Sequence, residues 1–402
     1  MHAHRSRREF LALLGSAGVG ALTGCSPRDA PAEAAASPPA KVVAPPAPQL
    51  LASPGIVKPL PAGVFIARGD NNAETRLESL AQDALITPTS HFYVRSHGPT
   101  PRLDAATWRL EISGEGVERP VTLTYDELTA LPSVTITRFI ECAGNGRAFY
   151  EELLAAPAEG DPWRHGAFGV ATWTGVPLAT VLRRAGLRPG AAWVMPVSLD
   201  SARFARPMPL EKSLADDTLI VHRMNGEPLP PDHGFPARVL VSGWVGAASV
   251  KWLGAIEVSN SEPKVETNTE SYVLLGPDHP KPPAPLTTLR VKSAVALPWP
   301  ATLPAGKRTI SGFAWSPSGK IAKVEVSVDG GLTFQPARLV GDNLPLAGTR
   351  WQFDLEAVPG DMFVMSRAVD ERGDGQPALA EQKWNEKGYL FAAPVPHPIR
   401  VT

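Results

Sequence analysis

The stretch Phe139-Ile140-Glu141-Cys142-Ala143-Gly144-Asn145-Gly146-Arg147 carries the most information about fold and chemistry in this 402-residue chain. The only other cysteine, Cys25, ends an N-terminal export segment, so Cys142 has no disulfide partner in the mature chain. Such a thiol is either buried and inert or kept for metal or redox chemistry. The turn Ala-Gly-Asn-Gly lets a large group approach the sulfur, and Arg147 adds a permanent cation. These neighbours favour a chemical role for Cys142.

The first 25 residues have the pattern of a bacterial export signal. Arg5-Ser6-Arg7-Arg8-Glu9-Phe10-Leu11 matches the twin-arginine pattern, and a short apolar stretch follows it. Leu22-Thr23-Gly24-Cys25 resembles a lipobox. The sequence therefore predicts export to the periplasm, followed either by lipidation of Cys25 as a membrane anchor or by ordinary cleavage. Residues 26–60, Ala/Pro-rich up to about Ser53, are predicted to form a disordered tether.

Composition excludes several classes of protein. A formal net charge of −1 gives no electrostatic reason to expect a nucleic-acid partner. Beyond the export segment no run of eighteen apolar residues occurs, so no transmembrane helix is predicted. The 43 prolines disfavour long uninterrupted helices. The remaining chain is long enough for two domains of ordinary size.

The chain after the tether has two regions with different secondary-structure patterns, which together predict an α+β fold. Residues 61–280 mix short helices and strands, whereas residues 281–402 show the regular short strands of a sandwich. The proline-rich stretch Pro277–Pro285 marks the predicted boundary. The predicted helices are Tyr125–Leu128 and Pro177–Ala185, and the predicted strands include Ala237–Val241, Ala255–Val258, Ile310–Trp315, Val324–Val328 and Phe363–Val369.

Four separated motifs resemble, in order, those of the sulfite oxidase family of molybdenum enzymes. They are Phe92-Tyr93-Val94-Arg95-Ser96-His97, the Cys142–Arg147 loop, Asp232-His233-Gly234-Phe235-Pro236-Ala237-Arg238, and Val250-Lys251-Trp252-Leu253-Gly254. The resemblance covers nearly all of the mature chain. It implies a sulfite-oxidase-type molybdopterin-binding domain over residues 61–280. It also implies an all-β immunoglobulin-like dimerisation domain over residues 281–402, and hence a homodimer.

The resemblance also implies one molybdenum-molybdopterin cofactor per chain. Molybdenum in its high oxidation states prefers soft sulfur donors, and the Cys142 thiolate would be the protein's metal ligand. Charged and polar side chains suit the phosphate of the pterin. The other cofactor contacts that the resemblance implies are Arg95, His97, Ala167, His233, Arg238, Ser249 and Lys251.

The substrate implied by the resemblance is sulfite, oxidised to sulfate by oxygen-atom transfer. Sulfite is a small dianion near neutral pH and needs a cationic pocket, for which Arg95 and Arg147 are the candidates. Trp163 fits the family's spacing for a pocket wall, and Tyr272 falls where the family has an active-site tyrosine. The chain contains no C-x-x-C-H haem site. We therefore expect electrons to pass to an external periplasmic c-type cytochrome.

Other functions remain open from the sequence. Some family members are the molybdenum subunit of a sulfane dehydrogenase in a thiosulfate-oxidising complex, and others reduce S-oxides such as oxidised methionine. The intact loop with Arg147 favours free sulfite. A protein of a different class would be a non-catalytic, lipid-anchored binding protein that keeps the fold without molybdenum. Loss of Cys142 or of the pterin contacts would mark that class, and neither is seen.

Overall fold

Residues 49–402 are the part of the chain that the computed structural model describes. The predicted twin-arginine signal, the predicted lipobox with Cys25 and most of the predicted tether lie outside these residues. Within the described part, no helix is long and apolar enough to cross a membrane.

Two five-stranded sheets and short helices build the region before residue 281. One sheet is antiparallel throughout, and in the other the strands Arg109–Ser113 and Leu253–Ser259 run parallel. The first sheet contains Val134–Glu141, Phe168–Pro177, Thr218–Met224, Glu227–Pro228 and Arg238–Val241. The second sheet contains Val121–Thr124, Arg109–Ser113, Leu253–Ser259, Trp193–Ser198 and Met208–Pro209. A separate two-stranded ribbon pairs Phe65–Ala67 with Ala73–Thr75.

The helices are short, as the proline content predicts. Thr124 and Glu127 form a reciprocal capping box that starts the first of them. The helix Leu178–Ala185 packs four buried apolar residues into a core formed with both sheets, and it ends at Gly186, where φ is +73°. The α-helices of the described part are Tyr125–Thr129, Ala148–Leu154, Leu178–Ala185 and Leu210–Leu214, with 3-10 turns at Leu77–Ser79, Thr89–His91, Pro231–His233, Gly246–Ala248 and Leu379–Glu381 and a π-turn at Thr267–Ser271.

The C-terminal region is a sandwich of two sheets. Alternating burial along Ile321–Ser327 and Gly360–Asp370 places the apolar side chains between the sheets. One sheet contains Lys292–Val295, Gly306–Trp315, Gly348–Ala357 and Arg338–Leu344, and the other contains Ala301–Leu303, His397–Val401, Gly360–Asp370, Ile321–Ser327 and Gln335–Pro336. The predicted fold class, α+β with a C-terminal all-β sandwich, is confirmed.

The two regions share a hydrophobic cluster, and residues 49–402 belong to a single compact unit. Phe139 and Phe168 come from the first region, and Phe313 and Trp315 come from the sandwich. The rings of Phe168 and Trp315 stack with centroids 4.0 Å apart. This contact places the sandwich directly behind the strands that lead to Cys142.

Residues 57–60, which the sequence assigns to the end of the tether, make long-range contacts in the structure. The backbone N–H groups of Val57 and Lys58 donate to the two carboxylate oxygens of Asp232, at 2.9 and 2.8 Å. Leu60 is buried against Phe65 in a small apolar cluster. These contacts involve residues far apart in the chain, so the local Ala/Pro-rich composition could not reveal them.

Candidate active site

The Cys142 loop begins where two paired strands end. The strand Val134–Glu141 pairs with Phe168–Pro177, and the register brings Glu141 opposite Phe168. The Cys142 N–H donates to the Ala167 carbonyl at 2.9 Å, and the Asn145 N–H donates to the Cys142 carbonyl at 3.0 Å. The predicted tight turn is therefore present, and it holds a Cys142 side chain that is 9% exposed.

Arg147 runs from the end of this loop along a narrow channel lined by glycines. Its Nε donates to the Lys387 carbonyl at 2.9 Å, and its Nη1 donates to the Asp161 carbonyl at 2.8 Å. A Cβ at Gly144 would lie 2.4 Å from the guanidinium, and one at Gly160 would lie 2.8 Å from it. Any other residue at either position would therefore displace Arg147.

Two cavities meet at Cys142. Arg95, Cys142 and Tyr272 line both of them. The first cavity has about 710 Å³ of empty space and the second about 650 Å³, both counted with space that is open to solvent. Of the predicted site residues, the first cavity also contains His97, His233, Arg238, Ser249 and Lys251, and the second, which Glu159 also lines, contains Arg147 and Trp163.

The first cavity is lined by buried basic side chains. Arg238 donates to the carbonyls of His233 and Ser249, at 3.0 and 2.8 Å. Lys251 Nζ donates to Ser96 Oγ at 2.7 Å and to the Asp232 carbonyl at 2.8 Å. Burial lowers the pKa of Arg238 to about 10, and burial together with the charge of Arg238 lowers the pKa of Lys251 well below its ordinary value. Because their partners are neutral oxygen atoms, these cations favour an anion in the cavity.

Histidines in the same wall are held neutral. Burial, with the charges of Arg95 and Lys251, lowers the pKa of His97 to about 3. Burial, with the charges of Lys58, Lys251 and Arg238, lowers the pKa of His233 well below its ordinary value. Neutral imidazoles can donate or accept one hydrogen bond at each nitrogen, so they can recognise polar ligand atoms without adding charge.

Tyr272 is fixed at the junction of the two cavities. Its hydroxyl lies 2.9 Å from His97 Nε2, and its ring stacks on Tyr389 with centroids 5.5 Å apart. Arg206, 1% exposed, donates to the Tyr272 carbonyl and lies against its ring. Burial raises the pKa of Tyr272, so its hydroxyl stays protonated at neutral pH.

Ala167 is the predicted site residue that the structure does not bring into either cavity. Its side chain is fully buried, and its backbone carbonyl accepts from the Cys142 N–H. The Ala167 N–H donates to Asn145 Oδ1 at 3.0 Å. Ala167 therefore supports the Cys142 loop from behind through these backbone bonds, and its role as a cofactor contact stays a prediction.

Several residues around the site were missed at the level of sequence. Phe204, which stacks on His97 with centroids 4.6 Å apart, and Asp200 come from a loop without a local motif. Tyr389 and Lys387 come from the last part of the sandwich and line the second cavity. Nothing in the local sequence of this segment indicates a pocket.

The residues present fit a large anionic cofactor with a metal beside Cys142. The first cavity combines buried cations, neutral imidazoles and a thiol at its end, which suits a phosphate-bearing group that also binds a soft metal. Within residues 49–402 no cluster of three or more His, Cys, Asp or Glu side chains is placed to hold a metal ion. The thiol of Cys142 is thus the ligand that the described part of the chain offers at this junction.

Comparison with known proteins agrees with this geometry. The family model "Oxidoreductase molybdopterin binding domain" matches residues 97–266, and "Mo-co oxidoreductase dimerisation domain" matches residues 284–394. The chain is 36% identical over 346 residues to sulfite oxidase of Gallus gallus, covering 80% of this chain and 74% of that protein. It is 35% identical over 345 residues to the mitochondrial sulfite oxidase of Homo sapiens, covering 80% of this chain and 63% of that protein.

A solved structure shows the same fold. The sulfane dehydrogenase SoxCD from Paracoccus pantotrophus superposes with a TM-score of 0.73 at 32% identity, covering 80% of this chain and 82% of that chain. Fold and site together define a molybdopterin-binding oxidoreductase with a dimerisation domain. Within that class, the chain belongs to the sulfite oxidase family, and the predicted molybdenum-molybdopterin cofactor is confirmed with it.

Proposed function

We propose that this protein oxidises sulfite to sulfate. The observation that carries the proposal is the position of Cys142 between a cavity lined by Arg238 and Lys251 and a second cavity that contains Arg95 and Arg147. The chicken and human relatives, both named sulfite oxidase, support the same substrate. The overall reaction takes sulfite and water to sulfate, with release of two electrons and two protons.

Cys142 would ligate the molybdenum, and Arg238, Lys251, His97 and His233 would hold the pterin and its phosphate. When bound, the cofactor supplies the two-electron redox chemistry that sulfite oxidation requires. The protein supplies a buried, preorganised cavity in which cations face the cofactor's negative charge.

In the second cavity, Arg95 and Arg147 would bind the sulfite dianion. The Arg147 guanidinium is held before substrate arrives, because it donates to two backbone carbonyls. The half-buried Arg95 lines the same cavity together with Tyr272. Tyr272 would place its protonated hydroxyl beside the substrate, and the fully buried Trp163 would close the wall and exclude water.

Sulfite-dependent reduction of ferricyanide by the purified, molybdenum-loaded protein tests this function. We expect turnover that depends on sulfite and saturates with it. A protein that contains molybdenum and a folded site but shows no sulfite-dependent reduction would contradict the proposal. A protein without molybdenum, expressed where the cofactor is made, would instead indicate the non-catalytic binding class.

Oxidation of protein-bound sulfane sulfur is the second candidate function. The structural similarity to the sulfane dehydrogenase SoxCD favours it. The two functions differ in the size of the substrate, because a carrier protein must present its sulfur through the mouth of the second cavity near Glu159. Parallel kcat/KM measurements with sulfite and with a sulfane-loaded carrier protein separate them, and we expect the larger value for sulfite.

We further propose that an external c-type cytochrome accepts the electrons. The chain has no haem attachment motif, and docking between charged protein surfaces is salt-sensitive. Turnover with cytochrome c should therefore fall as ionic strength rises, while turnover with ferricyanide changes less. Rapid oxygen consumption without any added acceptor would contradict this route.

Periplasmic location, with or without a lipid anchor at Cys25, remains a proposal from the export motifs. Detergent partitioning of the natively expressed protein and of a Cys25→Ala variant tests the anchor. Partitioning of the unaltered protein into detergent, lost in the variant, is the expected result for a lipoprotein. If both forms stay in the aqueous phase, the protein carries no anchor at this position.

The dimerisation domain supports the proposal of a homodimer. A two-fold interface would pair the sandwich with its own copy. Light scattering on the mature protein without its anchor should give the mass of two chains. A concentration-independent mass of one chain would contradict the dimer.

A further inference from the structure

A fully buried ion pair lies behind the Cys142 loop, outside both cavities. Glu141 directly precedes Cys142, and Lys292 is the first residue of a sandwich strand. Lys292 Nζ lies 2.7 Å from Glu141 Oε1, and their side chains are 1% and 0% exposed. Burying two charges costs several kcal/mol unless their geometry and remaining hydrogen bonds compensate. The proposed catalysis uses neither charge.

Hydrogen bonds from both domains complete the pair. Lys292 Nζ also donates to the Asn145 carbonyl at 2.7 Å. Asn145 Nδ2 donates to Glu141 Oε1 at 2.9 Å, and Trp315 Nε1 donates to Glu141 Oε2 at 2.8 Å. The Glu141 carboxylate thus receives three donors, of which two belong to the sandwich.

Asn145 connects this network to the backbone of Cys142. Its N–H donates to the Cys142 carbonyl, and its Oδ1 accepts from the Ala167 N–H. The Ala167 carbonyl in turn accepts from the Cys142 N–H. The Cys142 carbonyl is therefore bonded directly to Asn145, and the Cys142 N–H is bonded to Ala167, which Asn145 also contacts. Asn145 in turn belongs to the hydrogen-bond network that contains Lys292.

The side chains of Ala143, Gly144 and Gly146 offer no polar groups that could fix the loop, and glycine backbone loses more conformational entropy on ordering than any other. Backbone hydrogen bonds hold parts of the loop, among them those from the Gly146 N–H to the Arg164 carbonyl and from the Leu390 N–H to the Ala143 carbonyl. A buried ion pair with the sandwich adds a further constraint, because movement of the loop would separate the two charges.

We propose that Lys292 and Glu141 are positioning residues that fix the Cys142 loop, with Trp315 as their third member. The sandwich is then part of the metal site as well as the dimerisation domain. This inference rests on the proposed function in one respect, that Cys142 is the molybdenum ligand.

Molybdenum retention by the full-length, cofactor-loaded protein tests the proposal. The rate of molybdenum loss is measured for each variant at the same interval below its own unfolding midpoint. Lys292→Met leaves Glu141 charged and buried, and should speed the loss roughly tenfold or more. The double variant Glu141→Gln, Lys292→Met buries no charge, and should return the rate to within about threefold of the unaltered protein.

Arg350→Met is the matched control, because Arg350 is a fully buried cation of the same sandwich sheet that packs on Phe313 away from the loop. It should lower the unfolding midpoint without speeding molybdenum loss at the matched interval. Equal rates for Lys292→Met and Arg350→Met, or no recovery in the double variant, would overturn the proposal.

If Lys292→Met does not fold, the variant Trp315→Phe tests the proposal in its place. It removes one donor to Glu141 and should speed molybdenum loss roughly threefold; an unchanged rate would overturn the proposal. Sulfite turnover is not a readout here. A protein that retains molybdenum but does not oxidise sulfite would contradict the proposed function and leave this inference standing.

Discussion

Arg147 shows how one residue depends on the shape of its surroundings. Its guanidinium fits a channel that exists because Gly144 and Gly160 have no Cβ, and two carbonyls hold it there. Its charge faces the second cavity from a fixed position. The site therefore does not have to order this long side chain when an anion binds, which saves conformational entropy.

We predict that Arg147→Gln and Arg95→Gln each raise KM for sulfite by roughly tenfold to a hundredfold, with a smaller effect on kcat. Each change removes a charge that pairs with the dianion before and during reaction. Steady-state kinetics with ferricyanide measures the effect, and Arg184→Gln, at an exposed position on the helix Leu178–Ala185, is the control. An unchanged kcat/KM in both variants would remove these arginines from the site.

For single residues, the sequence predicted membership of the site where the residue lies inside a recognisable motif. Cys142, Arg95, His97 and Arg238 each belong to such a motif, and all of them line a cavity at the Cys142 junction. It did not predict Tyr389, because a single tyrosine near the end of the sandwich has no local pattern. Its position beside the site arises from packing between residues more than a hundred positions apart.

Among the elements, the segment of residues 57–60 shows that the folded region begins before residue 61. It follows an Ala/Pro-rich stretch, yet its backbone caps the carboxylate of Asp232, next to the cavity residue His233. Composition over a long window could not show where the folded chain begins. The segment thus forms part of the wall behind the cofactor cavity.

We predict that Asp232→Asn lowers the free energy of unfolding by about 1–3 kcal/mol. The carboxylate accepts from the N–H groups of Val57 and Lys58 and from Thr100 Oγ1, and the amide nitrogen of asparagine cannot accept. Urea unfolding measures the change, with the exposed Asp70→Asn as control. Equal stability of the two variants would mean that this contact does not hold the segment.

His397, at the start of the last strand, makes stability depend on pH. Burial lowers its pKa to about 4, and its Nε2 lies 2.8 Å from the Pro298 carbonyl. Because the unfolded chain has the ordinary pKa of about 6.5, it binds more protons between these values. This part of the stability is therefore present above about pH 6.5 and is lost as the pH falls toward 4.

We predict that in His397→Gln the free energy of unfolding depends less steeply on pH between about 6.5 and 4. The slope should fall by up to about 1.4 kcal/mol per pH unit. Glutamine keeps a donor for the Pro298 carbonyl but does not titrate. Urea unfolding of the variant and of the unaltered protein at several pH values measures the difference in slope. An unchanged slope in His397→Gln would contradict the assignment.

For the whole molecule, the shared core predicts cooperative unfolding. Phe168 and Trp315 stack across the two regions, and the buried pair of Glu141 and Lys292 crosses the same boundary. We therefore expect one thermal transition, coincident by calorimetry and by tryptophan fluorescence. Two separated transitions would show that the sandwich and the first region unfold independently, and truncation near Pro285 would then leave a soluble product.

The sequence predicted two regions and their order, because strand periodicity and proline clusters are local signals. It could not predict that the sandwich reaches the Cys142 loop through Lys292 and Trp315. A lysine at the start of a β-strand has the pattern of a solvated side chain, and only the folded chain shows it buried against Glu141.

The measurement that tests the central claim most directly is molybdenum per chain in the unaltered protein and in Cys142→Ser, together with sulfite-dependent ferricyanide reduction. We predict about one molybdenum per chain and sulfite turnover in the unaltered protein, since Cys142 is the soft ligand at the junction of the two cavities. Turnover should be lost in Cys142→Ser even if some pterin stays bound. Full sulfite oxidation by Cys142→Ser, or an unaltered protein that turns over sulfite without molybdenum, would contradict the account.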